Sequence, residues 1–193
     1  SDPESIFAMG HFFYYQRRYK EAKAHYLLAL EHYLLALELA KTNLEFKDKI
    51  PLVMHGIGLC ELAMGNEKEW LLFNEYRPKQ PTKDFFKLCD VSTTKYIHNL
   101  KEIKSLNEIR KNSKLLVLSE QGFGDQIMYA RYLRELRKLS GFILFQAHSA
   151  TLDLFKNCKD LKGISIKNKI STKELHSIDG KIFLLSIPSL LKN

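Results

Sequence analysis

The residues best suited to chemistry lie together in the loop Glu120-Gln-Gly-Phe-Gly-Asp125. The loop follows four apolar residues, Leu115 to Leu118, a run too short for a buried helix and typical of a parallel strand covered on both faces. Gly122 and Gly124 permit a sharp turn and a close approach of backbone N–H groups to a ligand. Asp125 stands where the next helix should begin. Such a junction of strand, loop and helix favours the binding of anionic or polar ligands.

Two common nucleotide-binding loops do not fit this stretch. A Walker A loop has a lysine and then a serine or threonine after its last glycine, where this chain has Asp125-Gln126. A dinucleotide fingerprint has a third glycine, where this chain has Ile127, and an acid after the second strand, where it has Gln146-Ala147-His148. The loop must therefore be interpreted without either motif.

Each candidate residue has a structural explanation beside its functional one. Asp125 could be a helix N-cap, and the two glycines could serve turn geometry alone. Glu120 and Gln121 lie at the carboxyl end of the strand, and His148 lies at the corresponding end of the next strand, the edge where open α/β sheets bind ligands. A lone histidine in that place is more often a capping or surface residue.

The flanking segments predict the layer that would position the loop. A helix is predicted from Asp125 to about Leu139, with Met128, Tyr132, Leu136 and Leu139 facing inward. Its basic face of Arg131, Arg134 and Lys138 is predicted to be solvated rather than to bind phosphate. Further strands are predicted at 142–147, 164–166 and 182–185, with a helix at 151–157 and a turn at 175–180. Helices that alternate with buried strands imply a parallel sheet with right-handed crossovers.

The first part of the chain is predicted to be helical. Apolar residues recur at three- and four-residue spacing over 6–16 and 19–41, and a weaker hairpin is predicted over 50–76. The heptad His25-Tyr-Leu-Leu-Ala-Leu-Glu31 is repeated at once over 32–38, which suggests either a coiled-coil zipper or a long buried helix. Two heptads favour the buried helix. Because two hairpins seldom bury their apolar faces alone, we expect them to dock onto the rest of the chain.

Composition restricts the functional classes. The 193 residues carry a net charge of +8, which favours acidic partners such as phosphates, nucleotides or an anionic membrane surface. No apolar run approaches the roughly 18 residues of a membrane span, and the first residues lack the plan of a secretory signal, so we expect a cytoplasmic protein. Cys60, Cys89 and Cys158 lack the spacing of a disulfide framework or a zinc site.

Two resemblances can now be stated. The first hairpin resembles a tetratricopeptide repeat, with Ile6, Met9-Gly10, Phe13, Tyr19, Ala22, Tyr26 and Ala29 at the spacing of that pattern. The stretch SEQGFGDQIMYARYL resembles the E-Q-G-L-G-D-T-I-Q-F-A-R-Y-L signature of bacterial tetratricopeptide-repeat glycosyltransferases, which are similar to the heptosyltransferase group of GT-B enzymes. Trp70 with Glu75-Tyr76-Arg77 resembles the E-W-R segment of that family, and 183–188 resembles its C-P-L-L-S-L-P segment.

The second resemblance implies an activity. It implies transfer of a sugar from a nucleotide-sugar donor to an acceptor hydroxyl, with no other cofactor and no metal, and with Asp125 as the catalytic base. The acceptor would be a saccharide, lipid-linked or carried by a protein. The residues that we expect in substrate binding, from their places in the loop and at the ends of the two strands, are Glu120, Gln121, Gly122, Gly124, Gln126 and His148. No nucleic acid is expected as a partner.

The predicted organisation has three parts. Residues 1–76 form TPR-like helical hairpins, 77–112 a linker with short helices that include 93–104, and 113–193 a Rossmann-like α/β domain, the N-terminal half of a GT-B fold. Too few residues follow position 112 for both halves, so we expect the donor-binding domain to be absent and this chain alone to be inactive. The alternative is a TPR-type protein-binding module with a non-catalytic α/β domain.

Overall fold

The computed structural model describes residues 2–40, 44–79, 91–120 and 122–192. It divides into two compact units, residues 1–78 and 79–193. The first unit is helical, and the second holds a four-stranded parallel sheet with helices. The predicted combination of helices with a parallel sheet is confirmed. Residues 80–90 of the predicted linker, including Cys89, lie outside the described residues.

The first unit contains four helices in two hairpins. They are α1 (Pro3–Tyr15), α2 (Tyr19–Ala40), α3 (Leu44–Ala63) and α4 (Glu67–Asn74). Helix α1 is capped by Asp2, whose carboxylate accepts the N–H of Ser5 at 3.0 Å. Between α3 and α4 the chain turns at Gly65, whose positive φ of 84° favours glycine. Both predicted hairpins are therefore confirmed, and the second begins earlier than its pattern indicates.

Close helix contacts in this unit depend on small residues. A Cβ atom at Gly10 of α1 would lie 2.5 Å from the ring of Tyr26 on α2, and one at Gly58 of α3 would lie 2.7 Å from Cβ of Phe73 on α4. Tyr26 is only 1% exposed. The aromatic side chain thus fills the space that glycine leaves, which fixes the distance between the helices.

The duplicated heptad forms part of one continuous helix, α2. One face of α2 is packed in the core, with Ala22, Tyr26, Ala29 and Tyr33 at most 1% exposed. Four leucines of the repeat lie on another face and are 44–51% exposed: Leu27, Leu28, Leu34 and Leu35. The prediction of a long buried helix is therefore wrong for the leucine face, because the repeat has more apolar positions than one buried face of a helix can hold.

The sheet of the second unit has the strand order β3-β2-β1-β4, and its pairs are parallel. The strands are β1 (Lys114–Leu118), β2 (Phe142–Gln146), β3 (Ser165–Lys167) and β4 (Gly180–Phe183). The four apolar residues of β1 are completely buried, as a strand covered on both faces should be. The predicted strands are confirmed, with shifts of one to two residues at their ends.

The helices of this unit differ more from expectation. Those in the described part of the unit are α5 (Val91–Asn99), α6 (Phe123–Ala130), α7 (Leu133–Leu139), α8 (Leu152–Lys156), α9 (Thr172–Leu175) and α10 (Ile187–Lys192). The predicted helix at 93–104 is too long, because Lys101 and Ile103 leave it to form backbone hydrogen bonds with Lys181 of β4, at 2.8 and 2.9 Å. Among the described residues, no helix has the length and hydropathy that crossing a membrane requires.

The predicted single helix from Asp125 to Leu139 is also wrong. A turn at residues 131–132 separates α6 from α7, and the change of direction alters which residues face inward. Met128 and Leu139 of the predicted inward stripe are 47% and 38% exposed. Leu136 of that stripe is buried, as predicted, and the other buried side chains are Gln126, Tyr129, Ala130 and Leu133. The basic side chains at 131, 134 and 138 are exposed, as predicted.

Candidate functional site

Buried polar side chains are concentrated at the carboxyl edge of the sheet. Six of them are at most 5% exposed: Ser119, Glu120, Gln126, Gln146, Thr151 and Ser186. Gln146 is the last residue of β2, and the other five lie on the segments that follow β1, β2 and β4. Because burying a polar group costs free energy unless it is hydrogen-bonded, their contacts determine what this edge can do.

Glu120 lies at the point of the sheet where the crossovers change direction. From β1 the chain proceeds to β2 and β3 on one side, and it then returns to place β4 on the other side of β1. Open α/β sheets bind ligands at such a switch point. The side chain of Glu120 is completely buried, and its Oε1 accepts the N–H of Leu185 at 3.2 Å. This bond joins the segments after β1 and β4 across the switch point.

A second contact joins β1 to β2. Oε1 of Gln146, the last residue of β2, accepts the hydroxyl of Ser119 at 2.7 Å and the N–H of Ser119 at 3.3 Å. Nε2 of Gln146 donates to the carbonyl oxygen of Ala147 at 3.1 Å. Both polar ends of this buried amide therefore have partners. The arrangement holds the ends of the two central strands in register.

Helix α6 begins two residues earlier than predicted, at Phe123, with Gly122 as its N-cap. The prediction that Asp125 is the N-cap is therefore wrong, since Asp125 occupies the third helical position. From there its Oδ2 accepts the N–H of Gly122 at 3.3 Å, and the side chain is half-buried. An acid in the first turn stabilises a helix, and this one also remains partly accessible to solvent.

The backbone conformation does not require glycine at either position of the loop. Gly122 has φ −82° and ψ 174°, which any residue can adopt, and Gly124 has no positive φ. A Cβ at Gly122 would lie 3.7 Å from Asp125, and one at Gly124 would meet nothing within 4 Å. The turn-geometry explanation therefore does not hold for either residue. Both glycines are exposed, and neither adds a side chain that would cover the N–H groups of the first helical turn.

Gln126 joins α6 to the segment after β2. Its Oε1 accepts the N–H of His148 at 3.2 Å and the hydroxyl of Thr151 at 3.1 Å. Its Nε2 is buried and has no hydrogen-bond partner among the described residues. The orientation of the amide follows from its contact with the N–H of His148, which needs an acceptor. Gln126 thus holds an unused donor inside the carboxyl edge.

His148 is fixed in position and in tautomer. Its Nδ1 accepts the N–H of Ala150 at 3.0 Å, so the proton of the neutral imidazole is on Nε2. Its ring packs edge-on against Phe123 of α6, with the ring centroids 4.5 Å apart. The predicted capping role of His148 is confirmed.

The outer end of the same edge is charged. Lys167, the last residue of β3, contacts the carboxylate of Glu174, which also accepts the N–H of Ser171 at 2.9 Å. The ion pair with Lys167, together with the bonds from Ser171, lowers the pKa of Glu174 to about 2. Within the described parts of the chain, no group of three or more His, Cys, Asp or Glu side chains is arranged to hold a metal ion.

An apolar groove of about 200 Å³ lies between α6 and α8. Ile127 and Leu154 form its walls, and Arg131 and Asp160 contribute charged groups to it. The predicted site residues do not line it. The groove is therefore separate from the polar edge.

The structure brings most of the predicted site residues to the two segments that follow β1 and β2. Gly122, Gly124 and Asp125 share the start of α6, and Gln126 contacts the segment of His148. Glu120 faces the segment after β4, and Gln121 lies outside the described residues. Sequence reasoning missed Ser119, Gln146 and Thr151. The first two could have been found, because they end neighbouring parallel strands whose carboxyl ends meet at one edge.

No protein-family model matches this sequence, and neither a curated protein nor a solved structure is significantly similar to the chain.

Proposed function

We propose that this chain is the acceptor-binding part of a GT-B glycosyltransferase of the tetratricopeptide-repeat, heptosyltransferase-like kind. The sheet would be the N-terminal Rossmann-like half of the enzyme, and the helical hairpins would be TPR-like. The observation that carries the proposal is the position of Asp125, a half-buried carboxylate in the first turn of α6 at the polar edge of the sheet. A carboxylate there can accept the proton of an acceptor hydroxyl as that hydroxyl attacks the anomeric carbon of the donor sugar.

The neighbouring groups suit the binding of a polyhydroxylated acceptor. The N–H groups of the first turn of α6, which begins between two glycines, are donors for sugar oxygens. The buried Nε2 of Gln126 would be satisfied by a further acceptor oxygen. Glu120 and Gln126 tie this loop to the segments after β4 and β2, which fixes the donors before the acceptor arrives.

The fold is compatible with the two resemblances. The order β3-β2-β1-β4 is the order of the first four strands of a Rossmann-type sheet. In the hairpins, Gly10 of α1 lies against Tyr26 of α2, as expected for a TPR position that needs a small residue. GT-B enzymes bind the nucleotide sugar with a second Rossmann-like half, so we propose that this chain alone binds the acceptor without transferring sugar.

Substitution of Asp125 in an enzyme that contains both halves tests the catalytic role. Asp125→Asn keeps the size of the side chain and an oxygen for the N–H of Gly122, so the fold should survive. Loss of a general base should lower the rate of sugar transfer by about 10²- to 10⁴-fold. Transfer is measured with a panel of nucleotide sugars, and Asp153→Asn, in the first turn of α8, is the control.

Two results would decide against the proposal. Unchanged turnover of the Asp125→Asn enzyme would remove this residue from catalysis. If the NMR signals of the Gly122 and Gly124 amides in the unsubstituted chain did not shift when any oligosaccharide was added, this edge would not be an acceptor site. The α/β unit would then be non-catalytic, and the alternative of a protein-binding module, which the exposed leucines of α2 favour, would take its place.

A further inference from the structure

Helix α2 has two apolar faces, and the core of its unit uses one of them. The other, the leucine face, consists of Leu27, Leu28, Leu34 and Leu35, which are 46%, 44%, 51% and 51% exposed. The two pairs come from the two copies of the duplicated heptad. The two pairs are seven residues apart, about 10 Å along the helix. A second helix packed alongside α2 would contact the same side of α2 at this interval.

Two carboxylates interrupt the leucine face. Glu31 lies between the two pairs of leucines, and Glu38 follows the second pair at the same spacing. Both side chains are exposed, and neither forms an ion pair with a described residue. Other carboxylates of this unit are paired, such as Glu21 with Arg18 at 2.7 Å and Glu61 with Lys23 at 2.5 Å. The face therefore combines an apolar stripe with two negative charges that no described residue neutralises.

The positions of these two glutamates distinguish between a second copy of this chain and a different protein as the partner of the leucine face. A second copy of α2 could place its own four leucines against these four in two orientations. The helices would be either parallel and in register, or antiparallel with Leu27 opposite Leu35 of the other copy. Both ways bring Glu31 against Glu31 of the other copy, and like charges that face each other across two helices repel. A helix with lysine or arginine at the matching heptad position would cover the leucines and neutralise Glu31 and Glu38 instead.

We propose that the leucine face of α2 is a docking surface for an amphipathic helix of a partner protein, one with a basic residue at every seventh position of its apolar stripe. This surface is independent of the glycosyltransferase proposal, because it lies in the helical unit and uses no residue of the sheet edge. It also accounts for the exact duplication of the heptad, which places two identical contact sets on one helix face.

Two synthetic peptides of three heptads test the proposal with the full chain. One repeats Leu-Leu-Gln-Ala-Lys-Ala-Gln, and the other has glutamate in place of lysine. Each carries fluorescein, and binding is followed by fluorescence anisotropy. Two attractive contacts in place of two repulsive ones should make the lysine peptide bind about fivefold to thirtyfold more tightly. The preference should shrink in high salt.

Variants locate the binding site. Glu31→Lys combined with Glu38→Lys should reverse the preference, so that the glutamate peptide binds more tightly. Leu28→Gln combined with Leu35→Gln should abolish binding of both peptides, whereas Leu72→Gln should leave it unchanged, since Leu72 is a 70% exposed leucine on another helix, α4. Circular dichroism checks that the helices persist, as expected for changes on an exposed face.

Three outcomes would overturn the proposal. The first is equal affinity for the two peptides, or no binding of either. The second is a preference that does not reverse in the Glu31 and Glu38 double variant. The third is a concentration-dependent dimer of the free chain that the Leu28 and Leu35 double variant abolishes, since a second copy would then cover this face.

Discussion

The unused amide donor of Gln126 leads to a sharp prediction about Gln126→Met. Gln126 is completely buried, and its Oε1 accepts two hydrogen bonds while its Nε2 makes none. Methionine has nearly the same length and the same helix propensity, so the change tests the polar contacts rather than packing or helix formation.

The expected stability change is the difference between two similar terms. Loss of the acceptor for the N–H of His148 should cost about 1–3 kcal/mol, the usual value for a buried polar group left unpaired. The hydroxyl of Thr151 retains its bond to the carbonyl oxygen of His148, at 3.1 Å. Removal of the unpaired Nε2 returns about 1–3 kcal/mol. The two terms oppose each other, so Gln126→Met should change the free energy of unfolding by less than about 2 kcal/mol.

A second buried glutamine provides the control. Gln146 is 1% exposed, and both ends of its amide are hydrogen-bonded to Ser119 and to the carbonyl oxygen of Ala147. Gln146→Met removes the same chemical group without relieving an unpaired donor, so it should destabilise by about 2–4 kcal/mol. Native-state hydrogen exchange of the β1 and β2 amides is the assay, because it reports on the sheet unit alone.

The comparison of the two variants refutes the reasoning if they behave alike. A loss of 2 kcal/mol or more in Gln126→Met would show that Nε2 has an acceptor in the folded protein. If stability is unchanged and saccharide binding is weakened, the amide faces the acceptor. If both are unchanged, Gln126 has no part in the site.

Three further predictions concern packing, pH and the switch point. Gly10→Ala should destabilise the hairpins by about 1–2 kcal/mol in denaturant unfolding, because the cost of overpacking against the ring of Tyr26 is larger than the gain in helix propensity from alanine. A more stable variant would contradict the close contact. Burial lowers the pKa of His55 to about 4, so its neutral form is held in the fold. The imidazole of the unfolded chain titrates near 6.5, so the free energy of unfolding should fall by up to about 3 kcal/mol as the pH drops from 6.5 to 4. In the His55→Gln variant, denaturant unfolding at the two pH values should not show this loss. Glu120→Ala should destabilise the sheet unit by about 2 kcal/mol or more in hydrogen exchange, and Glu120→Gln by less, because glutamine keeps an acceptor for the N–H of Leu185; equal losses would contradict this.

The parts of the fold that sequence could predict are those with local signals. The unbroken apolar run of β1 identifies a buried strand, and periodicity identifies both hairpins. The break between α6 and α7 has no glycine or proline to mark it, so a single helix was the natural prediction. Gln126 could not be predicted as a buried residue, because a glutamine in a helix usually faces solvent. Its burial depends on His148 and Thr151, contacts between distant parts of the chain.

Burial distinguishes the two acids of the loop. Glu120 is completely enclosed and binds the backbone N–H of Leu185, so its removal or protonation would disturb the segment after β4. Asp125 is half-buried, and its bond to Gly122, at 3.3 Å, is longer than the usual range for such bonds. A general base must reach its substrate and exchange its proton with solvent, which Asp125 can do and Glu120 cannot. Glu120 is therefore better suited to positioning the loop. In the proposed reaction Asp125 would accept the proton, since its carboxylate can leave the N–H of Gly122 at small cost.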